Sequence, residues 1–145
     1  MIQRLQSLFY LLAALCMGGI FFLPFATSSA ISEPYLGDKM YDVKDHLAMI
    51  IFGGLSILLP LLSIFLFKNR TLQLRIGILS IIASILLIAV SYLLFMNSSK
   101  AVADSTIIQD QAGMYLPFAS LVLLGIANYF VKKDDKLVKS MDRLR

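Results

Sequence analysis

Residues 76–99 read IGILSIIASILLIAVSYLLFMNSS, 24 positions without a Lys, Arg, Asp or Glu. A helix needs about 20 apolar residues to cross a hydrocarbon core roughly 30 Å thick, and this stretch supplies them. Three more charge-free stretches flank it: residues 5–32, 46–67 and 111–131, of 28, 22 and 21 residues. Every charge in the chain lies before, between or after these four runs. The pattern predicts an all-α bundle of four transmembrane helices, with spans at about residues 8–26, 47–67, 76–96 and 114–131 and a tail at 132–145. Of the 145 residues, 59% are hydrophobic and 15% charged, against about 25% charged in a soluble domain. The spans use more than half the chain, so it reads as one membrane domain.

The basic residues set the expected orientation. Arg4, the 68–75 segment (Lys68, Arg70, Arg75) and the tail (Lys132, Lys133, Lys136, Lys139, Arg143, Arg145) carry 10 of the 13. Segments 26–45 and 97–110 carry the remaining three, with most of the acids. Basic flanks stay on the cytoplasmic side, which predicts both termini in the cytoplasm and the other two loops outside. The net charge of +4 is thereby a topology signal, and no nucleic-acid partner is expected. Arg4, the following apolar run and the small residues near Ala30 have the outline of a signal peptide, but the run exceeds the 7–15 residues of such a segment, so it is expected to remain as a span.

Pro60 lies inside the second span, where it is expected to bend the helix or loosen its backbone. Pro117 falls in the first turn of the fourth, where a missing N–H costs nothing. Phe21, Phe22, Phe25, Tyr92, Phe95 and Tyr115 mark one edge of the bilayer, and Phe65, Phe67, Tyr129 and Phe130 the other. Ala14 with Gly18, and Ser80 with Ser84, stand four apart and allow close helix approach. Ser56, Ser63, Ser84 and Ser91 are expected to bond back to their own helix carbonyls. Asn128, the one amide inside a span, is expected to join helices.

The chemistry these residues offer is sparse. An intramembrane charge would suggest an ion or proton pathway; the spans hold none. Cys16 is the only cysteine and His46 the only histidine, too few for thiol–disulfide exchange or a bis-histidine haem. No catalytic, cofactor-binding or metal-binding residue is assigned. Asp38, Asp42 and Asp45, spaced i, i+4, i+7, would share one face if the second helix began early. Such an outer acidic cluster would suit a Ca²⁺ ion or a basic partner, although acids there also complement the helix dipole. In the tail, Leu137, Met141 and Leu144 recur at helical spacing. With Lys132, Lys133, Lys136 and Arg143 they predict a short amphipathic cytoplasmic helix that meets anionic lipid or a protein partner.

The opening MIQRLQ and the ending KKDDKLVKSMDRLR at 132–145 resemble those of an uncharacterised family of bacterial four-helix inner-membrane proteins, a domain-of-unknown-function family. The resemblance runs the length of the chain and implies a bacterial cytoplasmic membrane and four spans; it carries no activity. The expected role is a non-enzymatic accessory or scaffolding subunit of an inner-membrane assembly, with the lipid bilayer and other inner-membrane proteins as partners. The alternative is a small transporter or lipid-handling protein working as a homo-oligomer around a cavity lined by Ser and Asn128.

Overall fold

The computed structural model describes residues 2–29, 38–99 and 108–142. Four helices carry the fold: α1 (Ile2–Gly19), α2 (Leu47–Phe65), α3 (Arg70–Ser99) and α4 (Leu116–Asp142). They form a ring in which α1 packs on α4 and α2, and α3 on α2 and α4. Three of them are long and apolar enough to cross a membrane, and the apolar part of α1, Leu5–Gly19, is shorter.

The ring is apolar on its outside. Leu8, Leu15, Leu58, Leu62, Ile78, Leu79, Ile85, Leu93 and Val122 are exposed, while Ser56, Ser63, Ser80, Ser84, Ser120, Gln6 and Gln73 are buried beside Ala13, Ala14, Ala83 and Ala127. Small and polar residues at helix contacts, with large apolar ones facing outward, are the distribution expected where lipid is the solvent. In water, an apolar surface of this extent would be a liability.

The ends of the helices depart from the limits of the charge-free runs. The first helix stops at Gly19 instead of continuing towards Ala26. After Gly18-Gly19 the chain turns through residues 20–24 and becomes the short strand β1 (Ala26–Ser28). A two-residue strand β2 (Met40–Tyr41) and β3 (Ile108–Asp110) pair with it on either side, both antiparallel, in the order β2-β1-β3. Ala26 stands opposite both Tyr41 and Asp110. The all-α expectation therefore needs one addition: a small sheet that joins the two acid-rich loops across one end of the bundle. Gly113 belongs to this closure. Its N–H donates to the Pro24 carbonyl at 3.2 Å, and a β-carbon there would collide with the Leu23 and Pro24 carbonyls.

Helix α2 is capped by His46, whose Nδ1 accepts the Ala48 N–H at 3.1 Å. It runs unbroken through the fully buried Pro60. Helix α3 starts at Arg70, ahead of the charge-free run, because Asn69 caps it: its side-chain oxygen accepts the Leu72 N–H at 3.2 Å. Two cores fill the ring. Met17, Ile20, Phe25, Ala26, Tyr41, Val43, Met49 and Leu87 pack beneath the sheet. Tyr10, Ala13, Leu124, Ala127 and Val131 pack towards the other end.

Candidate functional site

Helix α4 is one continuous helix of 27 residues, about 40 Å long at 1.5 Å per residue. The inward face of its apolar part carries Leu124, Ala127 and Val131, all fully buried. Beyond Val131 the charged sequence continues the same helix, as its spacing predicts. Arg70 at the start of α3 donates Nε–H to Asp134 at 2.7 Å, with both side chains largely shielded from solvent. The last eight residues of α4 thus extend past the first turn of α3, by about 12 Å. Lys132, Lys133 and Lys136 are exposed and, with Tyr129, border a shallow depression of the surface. Leu137 is 46% exposed between Lys136 and Lys139. Lys139 pairs with Asp135 at 2.6 Å along the same helix. Met141 falls within α4, whereas Arg143 and Leu144 lie outside the described residues.

The acidic cluster is a correction. Asp38, Asp42 and Asp45 do not share a helix face, because α2 starts only at Leu47. Val43–Asp45 form a single 3-10 turn preceded by extended backbone at Asp42. The carboxylates serve local backbone instead: Asp38 Oδ1 accepts the Met40 N–H at 3.1 Å, and Asp45 Oδ2 accepts the Asp42 N–H at 2.6 Å. Burial pushes the Asp45 carboxyl up to about 6; the Asp42 hydrogen bond opposes this, and the Asp42 and Asp38 charges add to it. Among the described residues no three His, Cys, Asp or Glu side chains are grouped to hold a metal ion.

Polar residues knit the helices near the α4 tail. Tyr10 Oη donates to Asn128 Oδ1 at 2.6 Å, which is how Asn128 joins α1 to α4. Gly77 makes room for the pair: a β-carbon there would overlap both Asn128 Oδ1 and Tyr10 Oη. Gln6 Nε2 donates to the Phe130 carbonyl at 3.2 Å, and Gln73 Nε2 to the Ser63 carbonyl at 3.1 Å. Ser63, Ser84 and Ser91 bond back along their own helices, whereas Ser56, expected to do the same, has its Oγ buried without a hydrogen-bond partner among the described residues. Ser120 instead reaches across to the Ala13 carbonyl at 3.2 Å. Gln6 and Gln73 carry no signal of this role in the sequence, since both lie close to charged residues and read as helix-end positions. At the opposite end of the bundle, between the sheet and the seam of α3 and α4, lies a cavity of about 100 Å³.

A protein-family model described as "Domain of unknown function (DUF4293)" matches residues 2–144. The chain belongs to this family. No curated protein matches it, and no solved structure matches it. The tail segment and the cavity by the sheet offer surfaces, and the Asp38 and Asp45 carboxylates each accept a local backbone N–H.

Proposed function

We propose that this protein is a non-catalytic accessory or scaffolding subunit of a bacterial inner-membrane assembly, threaded four times through the bilayer with both termini in the cytoplasm. The observation that carries the reading is the extension of α4 beyond the start of α3, fixed by the Arg70–Asp134 ion pair. A helix held at its base and exposing Leu137 among Lys132, Lys133 and Lys136 is a surface prepared for a partner. An amphipathic helix binds protein grooves through its apolar positions, and its basic excess favours acidic surfaces or anionic lipid. The orientation rests on 10 of 13 basic residues falling at the termini and the 68–75 segment. The apolar part of α1, Leu5–Gly19, is about 22 Å long and serves as the first span only together with the turn at 20–24.

The experiment is mild-detergent co-purification from the native membrane. Truncation after Asp135 keeps the Arg70–Asp134 pair and removes only the projecting turns. Partners should be retained by the full chain and lost from both this truncation and Leu137→Asp. Retention of the same partners by both variants refutes the reading. Reporter fusions at Arg145 and within residues 97–110 should report opposite sides of the membrane; an extracytoplasmic signal at Arg145 refutes the orientation.

A further inference from the structure

The cavity between the sheet and the α3–α4 seam has a distinctive lining. Phe25, Tyr41, Tyr92, Phe95 and Phe118 contribute five aromatic residues to it, Asp110 is its one acidic residue, and among the described residues no basic one lines it. We propose that this cavity binds an amphipathic organic cation, an ammonium group joined to a hydrocarbon.

Three observations support the assignment. The ring wall is held in place: Tyr41 Oη donates to the Ser91 carbonyl at 2.7 Å, and the Tyr41 ring lies against Phe25 at 5.9 Å and Phe95 at 5.6 Å between centroids, tilted to both. Ring faces attract ammonium groups within about 6 Å of their centroids, and aromatic cages are a recurrent solution for quaternary ammonium recognition. The charge is placed at the rim. Asp110 ends β3, opposite Ala26, and is exposed, so it meets a cation without the cost of burying an unpaired carboxylate. Two lining residues, Tyr92 of α3 and Phe118 of α4, are exposed at 60% and 50%, and on the same two helices Leu93 and Val122 are exposed as well. A hydrocarbon attached to the cation therefore leaves the cavity into an apolar medium. The volume of about 100 Å³ compares with the 150 Å³ or so of an engineered cavity that takes up benzene, which limits the seated part to a small ammonium and a few carbons. The reading depends on the cavity alone, so it stands or falls separately from the role of the tail.

Two sources of such a cation exist: a lipid with an ammonium headgroup, and a free hydrophobic amine. Native mass spectrometry of the full chain in a non-ionic detergent distinguishes them. Butyltrimethylammonium is compared with its neutral carbon isostere, and phosphatidylethanolamine with phosphatidylglycerol. The ammonium-bearing member of at least one pair should bind about three- to thirtyfold tighter, the range cation–π attraction supplies. Preference in the lipid pair alone identifies the headgroup as the occupant; preference in the short-chain pair alone identifies a free amine. Asp110→Asn and Tyr92→Leu, both at exposed positions, should each reduce that preference severalfold without changing the uptake of the neutral compound. Equal binding of the ammonium-bearing and ammonium-free members in both pairs, or no binding of any of the four, overturns the proposal on the wild-type protein alone. A preference unchanged in both variants also overturns it by placing the cation elsewhere.

Discussion

Gly77→Ala is the sharpest perturbation of this bundle, because two opposing effects act at one atom. On an isolated helix the change is favourable by about 1 kcal/mol. Here the added methyl occupies the space taken by Asn128 Oδ1 and Tyr10 Oη. Overpacking of this kind costs about 1–3 kcal/mol, and loss of the Tyr10–Asn128 hydrogen bond adds about 0.6–1 kcal/mol in a membrane setting. The balance is a net loss of about 1–3 kcal/mol. Reversible unfolding of the detergent-solubilised protein by increasing mole fraction of sodium dodecyl sulfate, followed by circular dichroism, measures it. Asn128→Ala makes the test specific. Alone it strands the Tyr10 hydroxyl and destabilises; combined with Gly77→Ala it removes the closer of the two overlaps and releases the Tyr10 hydroxyl to swing away from the methyl. The two changes should therefore be non-additive by at least about 1 kcal/mol, well beyond the scatter between independent sites. Additive losses, or a Gly77→Ala protein as stable as the parent, would show that α3 and α4 do not meet through this contact.

Three further outcomes are expected. The folded protein holds the Asp45 proton up to about pH 6, against an ordinary value of 3.8, so its stabilising contribution is complete below the unfolded value and lost as pH rises through about 6; Asp45→Asn should flatten the stability profile across that window, and an unchanged profile in denaturation titrations argues against the assignment. His46→Ala removes the cap on α2 and should cost about 1 kcal/mol, while His46→Asn should restore most of it; equal melting points for the two variants would contradict the capping role. Asp134→Ala leaves a shielded Arg70 without its partner and should cost about 1–3 kcal/mol, between exposed and buried limits, and amide exchange should accelerate in residues 134–142; unchanged exchange there would mean the ion pair does not fasten the tail.

What the sequence made legible follows from the range of each signal. Long charge-free runs report helices because periodicity and composition act over tens of residues, and α2, α3 and α4 contain the predicted spans or nearly so. The tail was equally readable, since Leu137 and Met141 continue the helical spacing of α4. The sheet was not: strands of two or three residues carry almost no local pattern, and β1 lies inside an apolar run that looks uniformly helical. Asp38, Asp42 and Asp45 misled for a related reason. Their spacing has helical meaning only if the helix has already begun, and the His46 cap shows that it begins after them. The Tyr10–Asn128–Gly77 contact and the cavity by the sheet each draw on segments far apart in the chain, so no local stretch announces them.

The position of β1 has a consequence for biogenesis. Its partner β2 follows soon after it, but β3 is synthesised only after the whole of α2 and α3, and α1 meets its neighbour α4 last of all. The ring therefore stays open while α2 and α3 are made, with one edge of β1 uncovered until β3 emerges and one side of α1 uncovered until α4 follows. An uncovered strand edge is a template for pairing with another chain. The interval between emergence of the first and fourth helices is thus the period when this protein is most exposed to mispairing and to quality-control proteases, and arrival of the C-terminal helix closes it.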